Sequence, residues 1–106
     1  MVQSDFGVLT KYFKALSDRM RLEMLQALSA DGETNVSDLA ERLEVSQPLV
    51  SWHLRSLVRA GLVRVRKAGR ESYCSLNPEA FHLYETAISS LLSLGDGGAA
   101  DGRGTQ

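Results

Sequence analysis

The chain of 106 residues has a single cysteine, Cys74. One thiol excludes an intrachain disulfide and a multi-cysteine zinc cluster. No apolar run approaches the roughly 20 residues of a membrane span. The opening Met1-Val2-Gln3-Ser4-Asp5 has neither the basic start nor the apolar stretch of a secretory signal. A cytoplasmic protein with no membrane partner is therefore expected. A Gly-rich phosphate loop, a nucleophile elbow and an acidic pair with a nearby base are also missing. This argues against an enzyme, and no cofactor is expected. What remains is 43% hydrophobic and 24% charged, an ordinary balance for a folded chain. The length suits about one domain, and a core this small favours oligomerisation.

The net charge of −1 conceals segregation. Residues 1–45 carry five Lys/Arg against eight Asp/Glu, and residues 77–106 carry Arg103 against four acids. Between them, Arg55, Arg59, Arg64, Arg66, Lys67 and Arg70 face only Glu71. A basic centre between acidic flanks is either a solvated face or the footprint of a polyanion partner.

Apolar residues recur at helical spacing in Phe6, Leu9, Phe13 and Leu16, then in Met20, Leu22, Leu25 and Leu28. Ser17, with Asp18 behind it, separates the two stripes as a candidate N-cap. Asp31-Gly32 is a stop signal, and Thr34-Asn35-Val36 makes a short extended piece at most. Ser37 starts a short helix through Leu43. Ser46 caps the next, which runs to Ala60 with Pro48 in its first turn. Its apolar positions are Val50, Leu54, Leu57 and Val58. The period then changes to alternation, Val63 and Val65 against Arg64 and Arg66. Ser72–Leu76 is a second extended run, and Ala68-Gly69-Arg70-Glu71 joins the two into a β-hairpin. Asn77-Pro78 opens a last helix with Phe81, Tyr84, Ala87, Ile88, Leu91 and Leu92. The Gly/Ala/Asp-rich segment 95–106 reads as a disordered tail, leaving residues 1–94 as the folded unit.

The order α-α-α-α-β-β-α is mainly helical with a small β-hairpin. A helix-turn-helix followed by a hairpin is a winged helix-turn-helix. In the Ser46–Ala60 helix, Val50, His53, Leu54 and Leu57 share one face, and Pro48, Ser51, Trp52, Arg55 and Arg59 share the other. The second face is poor core material and suits a DNA groove. Arginine takes guanine or phosphate, serine takes either, and Pro48 and Trp52 can touch a thymine methyl. Ser46 and Gln47 stand at the helix N-terminus, which favours phosphate. Arg66, Lys67 and Arg70 are placed on the hairpin to contact the DNA backbone or minor groove.

Residues 12–78 resemble the ArsR/SmtB family of bacterial winged-helix repressors. The likeness is carried by Phe13-Lys14-Ala15-Leu16-Ser17-Asp18 running into Arg21-Leu22, by Asp38-Leu39-Ala40, and by Val45-Ser46-Gln47-Pro48-Leu49-Val50-Ser51-Trp52-His53-Leu54. Ala60-Gly61-Leu62-Val63, Gly69-Arg70, Tyr73 and Leu76-Asn77 complete it. The resemblance implies a homodimer joined through the first and last helices. It also implies operator DNA bound through the Ser46–Ala60 helix, and an inducer that releases the DNA. Phe6, Leu9, Phe13, Phe81, Tyr84, Ile88 and Leu91 are the expected interface. Metal-sensing members carry a Cys-x-Cys pair at the start of the third helix, where this chain has Asn35 and Ser37. A second family site uses Asp/His and His/Glu on the last helix, where Asn77, Glu79, Ser90 and Ser93 stand here. No metal site is expected.

Four residues keep two readings. His82 and Glu85, one helical turn apart, are an exposed polar pair or half of a shared metal site. His53 is a hydrogen-bonded structural residue or a base contact. Cys74 is a small buried hydrophobe or a thiol sensor. A protein-binding adaptor on the same fold is the reading from another class.

Overall fold

A computed structural model describes residues 2–93, with side chains from residue 6 onward. The elements are α1 (Val2–Leu16), α2 (Arg19–Asp31), β1 (Thr34–Asn35), α3 (Val36–Leu43), α4 (Gln47–Arg59), β2 (Val63–Ala68), β3 (Glu71–Leu76) and α5 (Pro78–Leu92). This is the expected winged helix-turn-helix with one strand added. The tail expected over 95–106 lies outside the described residues.

The added strand is β1. Thr34 pairs with Cys74 and Asn35 with Tyr73, so the sheet is antiparallel in the order β1-β3-β2. Two residues cannot display a period, which is why sequence patterning gave only a short extended piece. In the hairpin, Ala68 faces Glu71 across the two-residue turn Gly69-Arg70. Gly69 has φ +66° while Arg70 keeps a negative φ. Glycine first and a single positive φ is the pattern of the II′ turns that match strand twist.

Two helix starts differ from the sequence reading. The cap of α2 is Asp18 rather than Ser17: its Oδ1 accepts the Arg21 backbone N–H at 3.2 Å. The cap of α3 is Asn35 rather than Ser37, with Oδ1 accepting from the Asp38 N–H at 2.7 Å and from Ser37 Oγ at 3.2 Å. In both cases the side-chain oxygen serves the N–H three residues on, the geometry that defines an N-cap. Ser46 caps α4 as expected, accepting from the Leu49 N–H at 3.3 Å. Leu22, half exposed, is off the core face, since it lies roughly 200° around α2 from buried Met24.

Partial burial pushes the Asp18 carboxyl upward. The Arg21 N–H and the His53 and Arg21 charges outweigh that and hold it below the ordinary carboxylate range. A depressed folded value stabilises the fold above the unfolded pKa, and that contribution is lost as pH falls through the folded one. Asp18→Ala should therefore cost about 0.5–2 kcal/mol at neutral pH. The difference from wild type should shrink in acid, as read from urea midpoints at the two pH values.

The core lies between the helices and one face of the sheet. Met24, Leu28, Leu39, Val50, Leu57, Leu62 and Cys74 are fully enclosed. Tyr84 fastens α5 to this body. Its ring stacks on Tyr12 at 4.1 Å between centroids, and its hydroxyl donates to the Ala60 carbonyl at 2.5 Å. Among the described residues no helix is long and apolar enough to cross a membrane.

Candidate nucleic-acid interface

The link between α3 and α4 fixes how α4 is presented. Glu44 adopts the left-handed conformation, φ 59°, so that its N–H and that of Val45 close onto the last carbonyls of α3. The chain then turns through Val45 into the Ser46 cap. Val50, Leu54 and Leu57 face inward. Gln47, Pro48, Ser51, Trp52, Arg55 and Arg59 are exposed. Trp52 is 62% exposed, and the Arg55 guanidinium lies 5.6 Å from its ring centroid. A large exposed indole beside an arginine has no packing explanation within the chain.

His53 sits on the inward flank as a structural residue. Arg21 Nη1 lies 3.2 Å from His53 Nδ1, and Asp18 Oδ1 is 3.9 Å away. Arg21 also donates to the Ala15 and Lys14 carbonyls at 2.7 and 3.1 Å. The ends of α1 and α2 are thus tied to the middle of α4, which limits how that helix can tilt.

The wing divides its cations. Lys67 and Arg70, at the tip, are exposed and have no carboxylate within 4 Å among the described residues. Arg66 was expected to contact DNA with them. In the free chain it makes a two-pronged pair with Glu33 at 2.9 and 3.1 Å and lies 4.8 Å over the Tyr73 ring. The cause is β1, which brings Glu33 to the sheet edge two strands from Arg66. The hydrogen bond from Arg66 holds the Glu33 carboxyl below its usual range. Arg64 is likewise occupied, by Asn77 at 2.8 Å and Glu79 at 3.3 Å.

Between α4 and the sheet runs a groove of about 470 Å³, lined by Val36, Ser51, Leu54, Arg55, Val58, Arg59, Val65 and Ser72. The exposed Val58 and Val65 on this groove escaped the sequence reading, which placed Val58 on the buried face. Its position one residue past Leu57 was the available signal, since neighbouring residues on a helix point about 100° apart.

Of the residues expected between subunits, Leu9 and Tyr84 are already buried within this one chain and belong to its own core. Phe6 and Phe13 are half exposed on α1, and Phe81, Ile88 and Leu91 are half-buried. The largest apolar exposures on the α1–α5 pair are Leu92 (77%) and Leu83 (68%), and Val8 is half exposed beside Phe6 and Phe13 on α1. Val8 and Leu83 were not singled out in the sequence because they fall between the stripes.

Cys74 is enclosed, and burial, assisted by the Glu33 charge, pushes its thiol up to about 11. It is protonated at neutral pH and hidden from oxidants, which removes both requirements of a thiol sensor. Cys74→Ser should leave any peroxide response of DNA binding unchanged. It should also lower stability by about 1–3 kcal/mol, because the buried hydroxyl gains no assured partner. A peroxide titration and a urea melt check the two parts. Among the described residues no three His, Cys, Asp or Glu side chains gather into a metal-holding group, and His82 and Glu85 remain a pair.

The model of the bacterial regulatory protein arsR family matches residues 18–65, from the α2 cap into β2. An arsenical resistance operon repressor of Bacillus subtilis is 44% identical over 82 residues, covering 74% of this chain and 78% of that protein. An uncharacterised HTH-type transcriptional regulator of the same organism, YceK, is 35% identical over 85 residues, covering 79% and 85%. An ArsR-like transcriptional regulator from Rhodococcus sp. RHA1 superposes with a TM-score of 0.79 at 30% identity, covering 90% of this chain and 89% of that one.

Proposed function

The chain belongs to the arsR family of bacterial regulatory proteins, DNA-binding transcription regulators rather than enzymes, and we propose that it is a repressor holding an imperfect palindrome as a homodimer. The observation that carries this reading is the exposed face of α4. It gathers Ser51, Trp52, Arg55 and Arg59 with no carboxylate paired to them among the described residues. The helix enters the major groove, where arginine reads guanine and the indole meets a thymine methyl. Ser46 and Gln47 bring the α4 N-terminus to a phosphate. Lys67 and Arg70 lie along the flanking backbone. The exposed apolar residues of α1 and α5 supply the dimer contact. Two copies then address half-sites one helical turn apart, about 34–36 Å. Such a protein works in the cytoplasm, where the operator is.

Selection of bound DNA from a random pool is the direct test. An enriched inverted repeat supports the reading. Binding with no enriched sequence defeats the repressor, and no binding to DNA leaves the adaptor as the better account.

The inducer is not a thiophilic metal ion. Asn35 and Ser37 stand where metal-sensing members carry thiolates, and both are engaged in capping α3. Neither side chain supplies the soft ligand that cadmium or trivalent arsenic prefers. Zinc, cadmium or arsenite added to the protein–operator complex should leave its affinity unchanged in a fluorescence-anisotropy titration.

A further inference from the structure

On the flank of α4 away from the wing lies a cavity of about 270 Å³, four of whose six lining residues are cationic. It is bounded by Lys11, Lys14 and Ala15 of α1, Arg21 of α2, and Ser56 and Arg59 of α4. Among the described residues, no carboxylate lines it or lies within 4 Å of Lys11, Lys14 or Arg59. Asp18, the cap of α2, is turned onto the Arg21 N–H and His53, and its carboxylate also feels the Arg21 charge. Arg21 is immobilised by the Ala15 and Lys14 carbonyls and by His53, so its charge is fixed at the cavity wall. Ser56 adds a hydroxyl that can donate.

Arg21 is partly offset by Asp18, but Lys11, Lys14 and Arg59 have no acidic partner among the described residues; like charges around one opening repel one another, and an anion seated among them relieves that repulsion. Arg59 belongs both to this cavity and to the groove between α4 and the wing. The cavity therefore continues the DNA-facing surface of α4 on the opposite side from Lys67 and Arg70.

We propose that this cavity binds a phosphate group, held by Lys11, Lys14, Arg21 and Arg59 with Ser56. The source the geometry favours is the operator backbone, beside the bases read by α4, and in that respect the proposal rests on the function proposed above. Lysine is a flexible point-charge donor and arginine a fork, and the mixture suits a phosphate reached from one side. The contact carries no base information; it adds affinity and orients α4.

The test is the double variant Lys11→Gln/Lys14→Gln in the full chain. Both side chains are exposed, so its urea midpoint should match wild type. With operator DNA, the plot of log affinity against log salt should flatten by about two units, and operator and scrambled DNA should weaken by the same factor. In DNA-free protein, inorganic phosphate should shift the Ser56 and Arg59 amide resonances saturably in wild type and not in the variant. If wild type binds no DNA but phosphate saturates these shifts, the pocket stands with free phosphate as its source, and the repressor reading falls. An unchanged salt slope together with no saturable phosphate shift overturns the pocket. An Arg59→Gln variant repeats both measurements from the α4 side.

Discussion

Leu83→Asp is expected to give a folded chain that sediments as a monomer and binds operator about 10²–10⁴-fold more weakly, the range by which linking two binding units raises avidity. Leu83 is 68% exposed on α5, at the edge of a groove of about 680 Å³ that also includes Val8, Ala80, Tyr84 and Ala87. Phe6, Phe13 and Leu92 are exposed on the same helix pair. A cluster this apolar on so small a chain is the signature of a surface that meets another. An aspartate there would have to be desolvated in the interface, at a cost of several kcal/mol per uncompensated ion. In the isolated chain it stays in water and disturbs no core contact. Leu91→Asp is a poorer probe, because Leu91 packs partly against the core and its loss confounds folding with assembly. A Leu83→Asp protein that still sediments as a dimer removes this face as the interface, and a monomer that binds operator as tightly as wild type removes dimerisation from DNA binding.

The helices were legible because their apolar positions keep a 3.6-residue period over two turns or more. α4 was read with its cap, its buried face and its exposed face correct except at Val58. What escaped was decided by contacts distant in sequence. β1 has two residues and exists because β3 offers it an edge. Through β1, Glu33 reaches Arg66, 33 positions away, and gives an expected DNA-contacting residue an acidic partner within the chain. The caps at Asp18 and Asn35 were missed because serine, aspartate and asparagine are near-equal N-caps, so the choice depends on where the neighbouring helix lets the turn begin. Leu9 and Tyr84 were assigned to the interface because periodicity marks an apolar face without saying which molecule covers it. The cationic cavity draws on α1, α2 and α4, so its charges look unrelated along the chain, and Lys11 and Lys14 sit in a segment that is acidic overall.

Arg55 is the residue whose loss should separate specificity from affinity. It projects from the exposed face of α4, rests near the Trp52 ring and has no acidic partner among the described residues. If it takes a guanine edge, Arg55→Ala should cost about 1–3 kcal/mol on the operator and relax the choice at one base pair. Scrambled DNA should weaken much less. Lys67→Ala and Arg70→Ala should weaken every sequence alike, each flattening the salt slope by about one unit. Arg66→Ala should change the slope least, because Glu33 already neutralises that guanidinium. Affinities for operator and scrambled DNA at four or so salt concentrations distinguish the three patterns. Should Arg55→Ala keep both affinity and preference, α4 does not read bases through this face. The exposed Trp52 would then mark a protein surface, and the adaptor would displace the repressor.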